Sequence, residues 1–328
     1  MRFSLIFAVI FTVISAFGED APKFVREMNL TNGTVQLQTC IRHYRPATGS
    51  GPDIYLVAAM HVGETNYYAA LQDHLDAQAL VMFEGVGWAE AKKMGFDPAK
   101  HRRDAAKQSP VSDIQTQMAA MLGGVFQLDA IDYDRTNFVN NDMSNSQLKA
   151  RLKGQSVNGD QFFGSMGLYA AILKPVMALV SHSPSMRATV KLMMMDMLAE
   201  AASDLESITS STPQMKQVFK VILKDRNDLI FSNLQAELKK KNPPASISMF
   251  YGAGHMPELS QRLEKELHYE SADEQWVTAL SVNPANEHVD PVTANYLRTT
   301  VKQTLAAARA QSAAAAAAKT NAPASTNK

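Results

Sequence analysis

The sequence is poor in cysteine and has no excess charge of either sign. Cys40 is the only cysteine among 328 residues, which excludes an intramolecular disulfide and any cysteine-rich zinc site. The 32 basic and 32 acidic residues cancel, and no basic run is interleaved with aromatic residues. The chain therefore lacks the electrostatic signature of nucleic-acid binding, and its stability must come from a hydrophobic core.

The N-terminal segment lacks an apolar run long enough to cross a bilayer. Its apolar stretch at residues 3–14 follows Arg2 and is shorter than the ~20 residues that a membrane span needs. Ala16 and Gly18 then supply the small residues that signal peptidases accept. We therefore expect residues 1–18 to be a cleaved export signal, and the mature protein to be periplasmic or secreted, with no membrane span. The alternative is an uncleaved membrane anchor.

Apolar runs and turn residues predict the first part of a sheet. Residues 23–46 alternate as in a hairpin, with an Asn-Gly pair at the turn. Continuous apolar runs at residues 53–60 and 79–85 are typical of buried strands, and a helix-periodic stretch lies between them. A strand, helix and strand in this order imply parallel strands. A third strand is predicted at residues 125–133.

A large helical insertion is predicted at about residues 144–241. Ser144 and Gln147 have the spacing of a capping box at its start. The methionine cluster at residues 193–195 is typical of an irregular helical core rather than of a metal or haem site. The apolar stretch at residues 168–180 is too short and too interrupted to span a membrane, so a kinked core helix is expected there.

The sheet pattern returns at residues 246–267, where a strand leads through a glycine-rich turn to His255 and then to a helix. His61 follows the strand at residues 53–60 in the same way. Glu84 ends another buried run, where a carboxylate needs a charged partner or a metal. Because functional side chains gather at the carboxyl ends of parallel strands, these three side chains are candidates for one site. The alternative for Glu84 is a structural acid that holds the turn after it.

These patterns predict an α/β (α+β) fold with a central mixed sheet, two strand-turn-histidine-helix units and the helical insertion. Residues 275–283 are predicted to form an edge strand. An alanine-rich helix capped by Asp290 follows, and the chain is predicted to end in a disordered spacer. The domain organisation is therefore a signal at residues 1–18, one domain at 19–285, and the C-terminal helix and tail at 286–328.

Five motifs, in this order, carry a resemblance to a known family. They are AxxH-G at residues 58–63, Glu84, DYDR at 132–135, DRN at 225–227 and YGAGHMPEL at 251–259. The series resembles the TraB/PrgY/GumN family, which belongs with the Tiki proteases and more distantly with erythromycin esterases and ChaN-like haem-binding proteins. The similarity spans about residues 24–269. The family's hallmark is a pair of GxxH motifs plus a glutamate. Here the second GxxH is intact at residues 252–255, whereas Ala58 replaces the usual glycine of the first.

The resemblance implies a metal-assisted or histidine-dependent hydrolase of the peptidase or esterase type, acting on a peptide or small-molecule substrate. In the metal-assisted form, His61, Glu84 and His255 bind a divalent ion (Mn, Co, Fe or Zn) that polarises a carbonyl and activates water. In the other form, one histidine oriented by Glu84 activates water directly. Arg135 and Arg226 match family motif positions, and an arginine near such a site can hold a substrate carboxylate or an oxyanion through paired donors.

Alternatives remain open for the arginines and for the whole chain. Each arginine has a structural alternative, which is an ion pair with Asp132, Asp134 or Asp225. The chain as a whole has two further candidate functions. One is a non-catalytic protein of the same fold that sequesters a secreted peptide, and the other is a haem-binding protein related to the ChaN-like group.

Overall fold

The computed structural model describes residues 22–93, 110–155, 180, 182–201 and 213–320. Within these ranges the strands are β1 (Val25–Asn29), β2 (Val35–Pro46), β3 (Asp53–Ala59), β4 (Val62–Gly63), β5 (Leu80–Phe83), β6 (Val125–Phe126), β7 (Phe138–Asn140), β8 (Ser246–Gly252) and β9 (Tyr269–Val282). The helices are α1 (Thr65–Asp76), α2 (Trp88–Lys93), α3 (Pro110–Leu122), α4 (Gln127–Ala130), α5 (Asn145–Gly154), α6 (Pro184–Ala201), α7 (Pro213–Phe219), α8 (Arg226–Leu238), α9 (Met256–Leu267) and α10 (Pro291–Thr320). The predicted signal segment, residues 168–179 and residues 321–328 lie outside the described residues. Among the described helices, none combines the length and apolar character that a membrane crossing requires.

A mixed sheet of seven of the described strands forms the centre of the molecule and confirms the predicted fold class. Its order is β1-β2-β3-β8-β5-β7, and β9 pairs with β2 along its length. Strands β3, β8, β5 and β7 run parallel, whereas β2 is antiparallel to β1, β3 and β9. The predicted hairpin is β1 with β2, and Gly33 at its turn has a φ of +80°, which glycine adopts without strain.

The late strand β8 lies between the two strands that the early part of the sequence predicts. Strands β3 and β5 are parallel and joined through α1, but β8 separates them in the sheet. Ala59 at the end of β3 pairs with Gly252, and Phe83 at the end of β5 pairs with Phe250. The carboxyl ends of β3, β8 and β5 therefore meet side by side, and the turns that follow them lie at one edge.

The strand predicted at residues 125–133 is wrong over most of its length. Strand β6 has only two residues and pairs with β4, outside the central sheet, before the chain turns into α4. The strand that extends the sheet beside β5 is β7. Phe126, Ile131 and Tyr133 are buried as a strand pattern demands, but they flank the helical turn α4 and do not share one strand. A short apolar alternation does not distinguish these two conformations.

The helical region begins as the sequence predicts. Ser144 accepts the Gln147 backbone N–H at the start of α5, and the Gln147 side chain accepts the Ser144 backbone N–H, which completes the capping box. Met194 and Met195 on α6 are buried in the core, which agrees with a packing role for the methionine cluster. One feature was not predicted: a π-helical segment, Lys220–Asp225, separates α7 from α8.

Helix α10 is fastened to the rest of the fold by a partly buried ion network. Asp290 caps it through the Thr293 backbone N–H. Further along, Arg298 donates to Asp196 on α6, with Nε 2.6 Å from Oδ2, and also to Glu27 on β1. The Asp196 side chain is fully buried, so its charge depends on Arg298 and on Lys302 at 3.2 Å. The C-terminal helix is therefore bound to the domain through specific charges.

Loss of Arg298 should destabilise the whole domain. In Arg298→Met the buried Asp196 keeps only Lys302, so we expect the free energy of unfolding to fall by about 2 kcal/mol. Urea denaturation measures this change. Lys224→Met is the control, because both partners of its ion pair with Asp228 are exposed and its loss should cost less than about 0.5 kcal/mol. Equal midpoints for Arg298→Met and wild type would contradict the role of the network.

His43 on β2 and His74 on α1 both pack against the Tyr55 ring. The sequence predicts solvated positions for them, because His43 has no acid or histidine at ligand spacing and His74 lies on the polar side of its helix. His43 is 4% exposed, stacks on the Tyr55 ring at 4.5 Å and lies 2.9 Å from an Asp273 carboxylate oxygen. His74 contacts the edge of the same ring and lies 3.2 Å from the Ser248 hydroxyl. His74 is one helical turn from the buried Leu71, so it lies at the border of the buried helix face. At such a border the polar pattern of the sequence does not distinguish a packed side chain from a solvated one.

Acid should weaken the fold through His74. Burial, and then the charge of nearby His43, lower the pKa of His74 from 6.5 to about 4. Between these values the unfolded chain binds more protons than the folded chain, so stability is complete above pH 6.5 and falls as the pH drops towards 4. His74→Gln, which keeps a donor for Ser248, should lose less stability across this window. Parallel losses in urea denaturation of the two proteins would show that another group is responsible.

Candidate functional site

The carboxyl edge of the sheet brings together the turns that carry His61, Glu84 and His255. His61 lies two residues after β3, Glu84 directly follows β5, and His255 lies three residues after β8. Glu84 joins two of the strands directly, because its Oε2 accepts the Gly252 backbone N–H at 2.7 Å. Its own backbone N–H donates to the Phe250 carbonyl at 3.1 Å. The acid is thus fixed against the turn that leads to His255.

Glu84 is ionised in a nearly closed environment. Its side chain is 13% exposed, and Oε1 accepts Arg226 Nη2 at 2.7 Å. Burial opposes its charge, but Arg226, and then His255 and His61, hold the pKa of Glu84 well below its ordinary value. The carboxylate therefore keeps its negative charge at neutral pH and accepts hydrogen bonds only.

Arg226 links Glu84 to a second buried acid, Asp142, which lies two residues after β7. Arg226 donates from Nε to Oδ1 at 2.9 Å and from Nη2 to Oδ2 at 2.5 Å, and the Asp142 side chain is fully buried. Asp142 also accepts the backbone N–H groups of Gly85 and Met143. Burial acts to lower the pKa of Arg226, but the two carboxylates raise it above its ordinary value. Arg226 is therefore a permanent cation shared by two anions.

The π-helical segment places two consecutive residues of α8 at the site. A π-helical turn contains more residues than an α-helical turn, so it shifts the phase of the helix that follows. Arg226 and Asn227 come directly after Lys220–Asp225, and both are buried, with exposures of 4% and 0%. Arg226 binds the acid Glu84, whereas Asn227 binds His255.

His255 is fully buried and uses only one of its ring nitrogens. Nδ1 lies 2.6 Å from Asn227 Oδ1. Nε2 has no hydrogen-bond partner among the described residues and lies 3.7 Å from Glu84 Oε1. That distance is too long for a direct hydrogen bond. The imidazole therefore presents an unsatisfied nitrogen beside an ionised carboxylate.

His61 belongs to the same electrostatic environment. Its Nδ1 lies 3.2 Å from Gln127 Oε1, and the Gln127 amide donates to the Tyr133 hydroxyl at 2.9 Å. Burial lowers the pKa of His61, although Glu84 opposes this effect. Arg226 and His255 also lie close enough to His61 to lower its pKa electrostatically. The imidazole is therefore neutral at neutral pH.

Arg135 is placed apart from these contacts. It donates to both carboxylate oxygens of Asp76, at 3.1 and 2.9 Å, at the end of α1, and it lies 3.6 Å from Asp132. Its side chain is 46% exposed. Asp132 is one of the ion-pair partners that the sequence offers as an alternative to a substrate-binding role. The structure therefore brings together four of the five predicted site residues, and Arg135 forms a surface ion pair.

The arrangement does not fit a three-ligand metal site as it stands. Among the described residues, no group of three His, Cys, Asp or Glu side chains is placed to hold an ion. Both oxygens of Glu84 already accept hydrogen bonds, one of them from the Arg226 cation. Binding an ion through His61, Glu84 and His255 would therefore require these side chains to rearrange.

Comparisons with known proteins add no assignment. No protein-family model, no curated protein and no solved structure matches the chain. The resemblance to the TraB/PrgY/GumN family therefore rests on the motifs of the sequence and stays a prediction.

Sequence reasoning missed Asp142, Gln127 and Asn227. Asp142 follows a three-residue strand that no periodicity marks, and Gln127 falls in the segment whose pattern predicts a strand. Of these three residues, only Asn227 carries a sequence signal, because it ends the DRN motif directly beside Arg226.

Proposed function

We propose that the chain is an exported hydrolase that cleaves a peptide or ester substrate by activating water between His255 and Glu84. The observation that carries the proposal is the buried Nε2 of His255, which has no hydrogen-bond partner among the described residues and lies 3.7 Å from Glu84 Oε1. Buried polar atoms are nearly always satisfied, so an orphaned one beside an ionised acid indicates a place for a reacting group.

The roles follow from the contacts of each residue. His255 Nε2 accepts a proton from water as the water oxygen bonds to the substrate carbonyl carbon, and the proton then passes to the leaving amine or alcohol. Glu84 stabilises the imidazolium that forms between these two steps. Arg226, bound to Asp142 on its other side, keeps Glu84 ionised and oriented, and the neutral His61 completes the polar wall of the site.

Replacing Glu84 by glutamine should remove turnover. The change keeps the size of the side chain but removes the charge that supports the imidazolium, so we expect kcat to fall by at least about 100-fold. Hydrolysis of p-nitrophenyl acetate and of fluorescein-labelled casein measures the ester and peptide activities, and thermal unfolding measures the stability of the same sample.

Glu27→Gln is a matched control for this substitution. Glu27 is 14% exposed, close to the 13% of Glu84, and it likewise accepts an arginine Nη2, but it lies on β1 away from the site. Its turnover should stay within about 3-fold of wild type, with a comparable loss of stability. Full turnover in Glu84→Gln would remove Glu84 from the site. Full turnover in both Glu84→Gln and His255→Gln would place the hydrolysis at other residues. Absence of turnover in the wild type would favour the peptide-sequestering alternative.

A divalent ion held by His61, Glu84 and His255 stays a separate prediction of the family resemblance, and no step above depends on it. Elemental analysis of protein purified without chelators tests it. Stoichiometric Mn, Co, Fe or Zn that is lost in His61→Ala would support the metal-assisted form. Hydrolysis that persists in metal-free protein would support direct activation by His255.

A further inference from the structure

Asn227 has only one amide orientation that satisfies its neighbours. Its Nδ2 lies 2.9 Å from Glu258 Oε2 and 3.4 Å from the His255 carbonyl oxygen. A carboxylate and a carbonyl accept hydrogen bonds but do not donate them, so the amide nitrogen must face these two groups. The amide oxygen, Oδ1, is therefore the atom that faces His255 Nδ1 at 2.6 Å.

This orientation decides which ring nitrogen of His255 carries the hydrogen. Asn227 Oδ1 only accepts, so His255 Nδ1 must donate, and a neutral imidazole then carries no hydrogen on Nε2. The lone pair of Nε2 faces Glu84 Oε1, which is also an acceptor, across 3.7 Å. Two acceptors that face each other need a donor between them, and a water molecule can donate one hydrogen to each.

We infer that Asn227, itself oriented by Glu258, is a positioning residue that fixes His255 in the Nδ1–H tautomer and so leaves Nε2 free to accept a proton. The consequence for turnover rests on the proposed function, but the tautomer does not. The same logic extends to His61, whose Nδ1 faces Gln127 Oε1 while the Gln127 amide nitrogen donates to Tyr133. The orientation of Asn227 is better determined than that of Gln127. The Tyr133 hydroxyl can donate as well as accept, so it does not fix which end of the Gln127 amide faces it.

The tautomer can be observed directly by NMR. Long-range ¹H–¹⁵N correlation spectra of protein labelled with ¹⁵N-histidine, recorded at neutral pH, distinguish a protonated ring nitrogen from a bare one, and His255→Gln identifies the His255 signals. In wild type we expect Nδ1 protonated and Nε2 bare. In Asn227→Leu, which removes the acceptor, we expect the hydrogen to move to Nε2, towards Glu84, and kcat to fall by about 10- to 100-fold with little change in KM.

Two further variants separate positioning from packing. Asn233→Leu is the control, because Asn233 lies on the same helix and bonds to Asn141 rather than to a histidine, and it should keep the wild-type tautomer. The paired change Asn227→Asp with Glu258→Gln exchanges the acid and the amide, so an oxygen still faces Nδ1 and a donor still joins the two side chains. This pair should restore the Nδ1–H tautomer and most of the turnover that Asn227→Leu loses.

The results of these experiments test the tautomer inference and the proposed hydrolase separately. A wild-type spectrum with Nε2 protonated, or with both nitrogens protonated at neutral pH, would overturn the inference whether or not Asn227→Leu folds. An unchanged tautomer in folded Asn227→Leu would overturn it as well. The expected tautomers without hydrolysis of either probe would uphold the positioning role of Asn227 and count against the hydrolase.

Discussion

The buried Arg226 cation between Glu84 and Asp142 is the interaction on which the rest of the site depends. Removing three charged groups from water costs several kcal/mol for each, and only close, fully satisfied contacts return that cost. Arg226 meets the condition with hydrogen bonds to both acids, and the acids in turn accept backbone N–H groups from the turns that follow their strands. A single guanidinium, that of Arg226, therefore fixes the distances between the start of α8 and the carboxyl ends of β5, β7 and β8.

The same contacts connect stability to chemistry. Arg226 and Asn227 are neighbours in the chain, and the π-helical segment before them turns both into the protein. One fixes the acid and the other contacts the histidine, so the start of α8 sets the separation between Glu84 and His255. A displacement of this helix end would alter both groups at once. The need to turn both residues inward is a physical reason for a rare π-helical segment to lie at this point. Such segments are frequent at functional sites.

The sequence predicted the parts of the site that local patterns encode. Apolar runs that end at His61, Glu84 and His255 placed all three at strand ends, and the parallel pairing of β3, β8 and β5 brings those ends to one edge. Local patterns did not encode the position of β8, which lies in the sheet between β3 and β5 although it comes much later in the chain. That order depends on pairing between distant segments. The π-helical segment and the side-chain partners of the histidines depend on the same long-range packing, so they appear only in the folded structure.

His43 shows why burial of an imidazole alone does not identify a site. Its Nε2 is also buried without a good hydrogen bond, yet Asp53 lies 3.3 Å from that nitrogen and Asp273 lies 2.9 Å from Nδ1. Both acids are substantially exposed, so solvent screens their charges. The cluster also lies at the start of β3, which is the sheet edge opposite to the carboxyl ends of the parallel strands. His255 differs in each respect. Its partner is an uncharged amide, whose oxygen accepts from Nδ1 and does not donate. Its acid neighbour is ionised and nearly buried. Its free nitrogen lies at the carboxyl edge of the sheet, where loops and helix starts converge.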